Sequence, residues 1–359
     1  VKAPSLVRDA VFNTASFVVR TLGTVISLAW VAQTLGPDLQ GRFGYAHWIA
    51  IIGGQVALWG LGIAMTRFVA REVGGGRPDQ ARAAVRTAWI WLRATLVGLF
   101  LIGLPAALLL GDELRLALLI SVPYAATVAG CGFAIGICHG LRRFEVVFMA
   151  DAAYYVLLLA GIPFGLAAGD PVVGVLAAFA LARAVNLLFL WRQTATLVDA
   201  LGPRGAVATG PLQWELRHYA IQMAMLTLLG ALLWERTELV FLKASSSYEQ
   251  LGWFSAAVGL SILVTRVPGV LGQVMLPLVA GMHGADAPRE AIGLAYRRGA
   301  RLLSLLVVGP VCILIASAPA VVQVLLDDDY EPAATMFRIL LIPMLLAGVG
   351  VMGAKTLIG

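Results

Sequence analysis

Apolar residues fall in long runs, and polar residues gather in the short gaps between them. A helix that crosses a bilayer needs about 20 predominantly apolar residues, so each run predicts one span. Ten are predicted, over residues 11–34, 44–69, 88–110, 114–138, 146–167, 171–191, 219–242, 251–279, 302–318 and 335–356. No gap is long enough to hold a separate water-soluble domain. Inside hydrocarbon only helices and closed barrels satisfy their own backbone, and runs of this length read as helices. The pattern therefore predicts an all-α, polytopic transmembrane helical bundle.

Composition agrees. Hydrophobic residues make up 60% of the chain and charged residues 13%, against about 45–50% and about 25% in soluble domains. The net charge of +6 does not point to nucleic acid, because the arginines alternate with apolar spans and form no basic face. It reads as membrane orientation. One set of gaps carries Lys2 and Arg8, then Arg71, Arg77, Arg82 and Arg86, then Arg142 and Arg143, then Arg192, Arg204 and Arg217, and last Arg289, Arg297, Arg298 and Arg301. The other set has Arg42, Arg115 and Lys243 as its basic residues and is otherwise acidic, with Asp38, Asp112, Glu113, Asp170, Glu249, Asp327, Asp328, Asp329 and Glu331. Basic loops stay inside, so the N-terminus is expected in the cytoplasm and the protein in a cytoplasmic membrane.

The text after the first span, Leu35 to Phe43, returns after the seventh as Ser246 to Phe254, each copy placing a Gly-x-Phe at the mouth of the next span. Arg77-Pro78-Asp79-Gln80-Ala81 likewise corresponds to Ala287-Pro288-Arg289-Glu290-Ala291. Six spans separate the copies, and an even number preserves topology. The halves are therefore expected to be parallel repeats facing a central cavity, as in transporters. The boundaries expected are 1–193 for a six-helix N-terminal lobe, 194–218 for a cytoplasmic linker and 219–359 for a C-terminal lobe. Only four spans follow the second copy, so the chain is expected to be a piece of a longer protein lacking at least two C-terminal helices.

Charges inside spans are costly and mark cavities or partners. Arg20 lies well inside the first span, and is either a cavity cation for an anionic substrate or an interhelical or snorkelling contact. In the seventh, Glu235 and Glu238 share a face and Arg236 turns away; this is a head-group or ion site, or a self-neutralising cluster. Arg266 in the eighth, and Arg183 with Asn186 on one face of the sixth, are lining or structural. Asp151, near the start of the fifth span, reads as interfacial, and Arg93 as snorkelling. The inner set leans to arginine, which suits phosphates, whereas proton- or sodium-coupled pumps show isolated carboxylates. Gly132, Gly136 and Gly140, four apart, predict close helix approach. Cys131, Cys138 and Cys312 lack metal spacing and read as packing residues. The histidines have no nucleophile or carboxylate pattern and no phosphate loop is present, so neither an enzyme nor a cofactor or metal site is expected.

Several motifs together resemble the polysaccharide-transport, or O-antigen-type, flippases of the multidrug/oligosaccharidyl-lipid/polysaccharide exporter superfamily. They are Leu35-Gly36-Pro37 with Gly41-Arg42-Phe43 and Gly60-Leu61-Gly62; Glu235-Arg236-Thr237-Glu238 with Gly252-Trp253-Phe254 and Leu276-Pro277; and Leu325-Leu326-Asp327 through Tyr330-Glu331-Pro332-Ala333-Ala334. The family often has Gly where Asp327 or Asp328 stands. The resemblance implies twelve to fourteen helices in two lobes, and outward flipping of a polyprenyl-pyrophosphate-linked oligosaccharide for surface polysaccharide or lipopolysaccharide synthesis. It implies a bacterial cytoplasmic membrane, with membrane lipid, a glycan polymerase and glycosyltransferases as partners. Relatives that flip the peptidoglycan lipid precursor carry a first-helix arginine ahead of Leu-Gly, where Arg20 stands. On this reading Arg20, Arg183, Arg236, Glu238 and Arg266 bind substrate. A cation-coupled multidrug exporter of the same superfamily and a non-transporting scaffold for glycan assembly are the alternatives.

Overall fold

The computed structural model describes residues 6–110, 114–202, 210–234, 241–242, 245–261 and 289–346. Gly36 and Pro37 decide the start of the fold. Proline tolerates the first helical position but cannot continue a ladder behind it. α1 (Leu6–Leu58) is accordingly two helices end to end, broken at Gly36 with φ 71° and ψ 168°. The loop expected over 35–43 is absent: helix resumes at once. A second break falls at Trp59 and Gly60, both left-handed with φ 49° and 69°. The span expected over 44–69 is thus divided between α1 and α2 (Leu61–Gly74).

The helices that follow are α3 (Pro78–Leu110), α4 (Arg115–Gly140), α5 (Phe144–Leu166), α6 (Pro171–Asp199) and α7 (Gly210–Trp234). Then come α8 (residues 248–261), α9 (Arg289–Leu326) and α10 (Glu331–Leu341). Asp170 caps α6 by accepting from the Val172 and Val173 amides, with Pro171 pre-set for the first turn. The spans expected over 219–242, 251–279 and 335–356 lie partly outside the described residues.

Among the described residues, six helical stretches are long and apolar enough to cross a membrane: Val11–Leu58, Pro78–Leu109, Arg115–Gly140, Phe144–Leu166, Pro171–Asp199 and Val307–Leu326. The first has 48 residues, about 70 Å of helix at about 1.5 Å per residue, which is enough for two crossings. Leu109, Phe164 and Val324 are 85%, 81% and 77% exposed. Leucine and phenylalanine turned outward along whole helices require lipid and not water as solvent. The protein is an all-α, multi-pass membrane bundle.

Packing divides the chain into two compact units, Val1–Arg20 with Arg42–Ser247, and Thr21–Gly41 with Tyr248–Gly359. In the first unit α2 crosses α4 on glycine. A Cβ at Gly136 would strike the Gly62 carbonyl, and one at Gly140 would lie 3.0 Å from the Met65 carbonyl oxygen. The small-residue spacing read in the sequence is this crossing. Gly60 serves a further approach, since a Cβ there would lie 2.6 Å from the Ala220 carbonyl of α7. Leu212, Leu216 and Ala220 of α7 join the core formed by Leu61, Met65, Phe68 and Phe133. At the edge of this core Glu215 pairs with Arg71 at 2.5 Å, and buried Glu72 pairs with Arg71 at 2.8 Å and Arg77 at 2.9 Å. The hydrogen bond that Arg71 donates to Glu215 outweighs desolvation and holds the Arg71 pKa above its ordinary value.

In the second unit Ala32 from α1 packs with Ala256, Ala257 and Leu260 of α8, with Val311, Ala318 and Val322 of α9, and with Phe337 and Leu341 of α10. The Tyr330 hydroxyl donates to the Ala32 carbonyl at 2.9 Å, and Gln33 Nε2 donates to the Leu325 carbonyl at 2.9 Å. Burial pushes the Tyr330 phenol up, so it remains a donor. The turn before Tyr330 places Asp327 at φ 89°, a left-handed backbone that favours glycine.

The two copies of the repeated motif meet in this unit. A Cβ at Gly41 would strike the Tyr248 carbonyl and lie 2.9 Å from Gly252 N, and a Cβ at Gly252 would strike the Pro37 carbonyl. Each glycine sits on the residue four before the other. The contact is reciprocal, as a local two-fold relation between the copies requires.

Candidate functional site

α1 and α5 run side by side in the first unit, and their contacts rise together. Arg8 reaches Glu145 at 3.4 Å, the Phe12 and Phe148 rings are 5.8 Å apart, and Ser16 and Arg20 both reach Asp151. Residues 12, 16 and 20 repeat every four positions, so one face of α1 presents them in a row. Ser16 donates to Asp151 Oδ2 at 2.5 Å, and Arg20 Nε lies 3.3 Å from the same oxygen. Asp151 is 2% exposed, while the Arg20 side chain keeps 33% of its surface. Asp151 is therefore not open to solvent. α1 covers it, and a carboxylate without water persists by taking a cation and a hydroxyl donor.

α6 closes the other side. Asn186 Nδ2 donates to the Ala150 carbonyl at 2.5 Å, and the Cys131 thiol lies 3.3 Å from Asn186 Oδ1. One turn away the Arg183 guanidinium lies 3.8 Å from the centre of the Tyr154 ring, an aromatic face that stabilises a cation away from water. Tyr155 stands edge-on to Tyr154 at 4.7 Å. Asp151 interacts electrostatically with both Arg20 and Arg183. Beyond them His47 sits among Phe43, Tyr124 and Phe179, with ring centroids 5.4, 5.6 and 5.1 Å away. The buried cluster holds two guanidinium groups and one carboxylate, so its formal charge is positive.

Of the residues expected to bind substrate, Arg20 and Arg183 are brought to one cluster. The expected shared face of Arg183 and Asn186 is observed, both turning toward α5. Arg236, Glu238 and Arg266 lie outside the described residues. Arg93 is exposed, with its guanidinium 5.1 Å from the Trp89 ring, as a snorkelling arginine does. Sequence reading missed Ser16, Asp151 and Tyr154. The available signal was the four-residue spacing of Ser16 and Arg20, a donor and a cation on one face needing an acceptor. Cys131 is more than filler, since its thiol bonds Asn186. Among the described residues no group of histidine, cysteine and acidic side chains could hold a metal ion.

No protein-family model matches the chain, and no curated protein matches it in sequence. Solved structures do match. A multidrug resistance MATE family transporter of the MOP superfamily, in an inward-facing conformation, aligns with TM-score 0.77 and 17% identity over 96% of this chain and 83% of that one. A MATE protein in complex with MaL6 aligns with TM-score 0.63 and 16% identity over 98% and 81%. A MOP superfamily transporter from Pyrococcus furiosus, described as having a binding pocket of reverse polarity, aligns with TM-score 0.56 and 17% identity over 98% and 83%. The chain has the fold of these proteins.

Proposed function

We propose that the protein is a flippase that carries a polyprenyl-pyrophosphate-linked oligosaccharide across a bacterial cytoplasmic membrane by alternating access. Its N-terminus lies in the cytoplasm, and the two halves of the sequence repeat act as the lobes. The observation that carries this reading is the cluster of Arg20 and Arg183 around Asp151 inside the membrane bundle. Two guanidiniums to one carboxylate leave a positive site, and guanidinium forks match phosphate oxygens. Arg236, Glu238 and Arg266 complete the site in this reading. The prenyl chain stays in lipid while the sugars cross in the cavity. Surface polysaccharide assembly, with a polymerase and glycosyltransferases, is the setting it fits.

The buried carboxylate favours a second reading, a cation-coupled exporter, because isolated acids in spans mark coupling sites. The MATE proteins that share the fold include a multidrug resistance transporter. One assay separates the two. The protein in liposomes is given a fluorescent polyprenyl-pyrophosphate glycan, with Arg20→Lys and Arg183→Ala alongside. The flippase reading expects the wild type to move the lipid, Arg20→Lys to retain part of the rate, and Arg183→Ala to lose at least about tenfold, about 1.4 kcal/mol of substrate interaction. Drug efflux that depends on Asp151, without glycan movement, would establish the exporter instead.

A further inference from the structure

Asp151 occupies the cation that a substrate phosphate would need. It lies 3.3 Å from Arg20 Nε, accepts from Ser16, and is 2% exposed. We infer that Asp151 is a resident counter-ion, displaced from Arg20 by the phosphate of an anionic substrate and carrying a proton while that substrate is bound. This rests on the anionic-substrate reading above.

Among the described residues, Ser16 and Arg20 of α1 contact Asp151, and Arg183 of α6 and Cys131 of α4 interact with it electrostatically. Asn186 of α6 stands beside Cys131, and Tyr154 of α5 beneath Arg183. His139 of α4 interacts electrostatically with Arg20. None of these besides the two arginines is a cation poised to replace Arg20 as the partner of an ionised Asp151. A phosphate that takes both guanidiniums would leave the carboxylate buried beside a second anion, which is strongly unfavourable. Protonation removes the conflict. Asp151 takes one proton from water on the side to which the site is open, and the neutral carboxyl turns its O–H toward Ser16 or a phosphate oxygen. When substrate leaves, the proton returns to water and the pair with Arg20 re-forms. The empty site then changes conformation with one guanidinium already neutralised, so less uncompensated charge moves through the bundle. Arg20 suits this exchange because its side chain is still 33% exposed while Asp151 is closed off.

The test uses the purified protein in detergent and inorganic pyrophosphate as probe, with affinity measured against pH. Anion binding that requires a proton weakens as pH rises through the carboxyl's titration, by about tenfold per pH unit for one linked proton. Titration of pyrophosphate itself is common to every variant and cancels in their ratio. The expected result is that Asp151→Asn binds more tightly than the wild type at neutral pH, with the advantage growing about tenfold per pH unit over the titration range. Infrared difference spectra of the wild type, which need no variant, should show a protonated carboxyl band appear and a carboxylate band fade on adding pyrophosphate. Tight binding with parallel pH profiles and no new carboxyl band would overturn the counter-ion role and leave the anion site standing. No pyrophosphate binding by either protein would overturn both.

Discussion

At the scale of the residue, the function of Arg20 depends on what stands opposite it. Read alone, it is a cation in a span. Beside Asp151 it is half of a buried pair, and the partner left behind bears most of the cost when one is removed. Asp151→Ala should lower stability by about 1–3 kcal/mol, the range for an unsatisfied buried polar group, discounted from a fully buried pair because Arg20 is partly exposed. Thermal unfolding in detergent checks it, and the double variant Arg20→Ala with Asp151→Ala should unfold later than Asp151→Ala alone. Strict additivity of the two substitutions would mean that the pair carries no coupling. Asp327 makes a related point. Its left-handed backbone is a glycine's conformation, and the side chain compensates by accepting from the Asp328 amide at 2.9 Å.

At the scale of the element, contact between helices is set by where side chains are missing. α2 and α4 approach on Gly62, Gly136 and Gly140, closely enough that a methyl group at Gly136 has no place. Gly136→Leu should cost at least about 1–3 kcal/mol through overpacking and reduce the yield of monodisperse protein. Gly98 in α3 has nothing within 4 Å of an added Cβ, and Gly98→Ala should raise stability by about 0.4–1 kcal/mol. The two variants compared in one melting experiment separate packing from propensity; equal melting points would contradict the crossing described. The small-residue rule made this contact legible in the sequence. The break at Gly60 was not legible, because its reason is the approach of Ala220 from α7, 160 residues along the chain.

At the scale of the whole molecule, the repeated motif links sequence symmetry to mechanism. Gly41 and Gly252 make reciprocal contacts, so substitutions at the two positions should have matching effects. Gly41→Val and Gly252→Val should each prevent this packing, increase hydrogen exchange in residues 248–261, and impair the proposed transport to a similar degree. Damage confined to one of the two would argue against equivalence of the copies in the working protein.

Local sequence alone settled the membrane class, the helical content and several helix ends, such as those of α4 and α5. These follow from local physics: a run of apolar residues partitions into lipid whatever lies elsewhere in the chain, and glycine or proline acts on its own turn. The sequence also placed Arg20 and Arg183 inside spans, since charge in an apolar run is visible without any fold. Tertiary structure alone decided which of those charges meet. Ser16 and Asp151 are 135 residues apart, and Asp151 sits only seven residues into α5, where nothing in the sequence shows that α1 covers it. Hydrophobicity is a property of a segment, whereas the charge of a buried site is a sum over neighbours from several helices, and only packing names those neighbours.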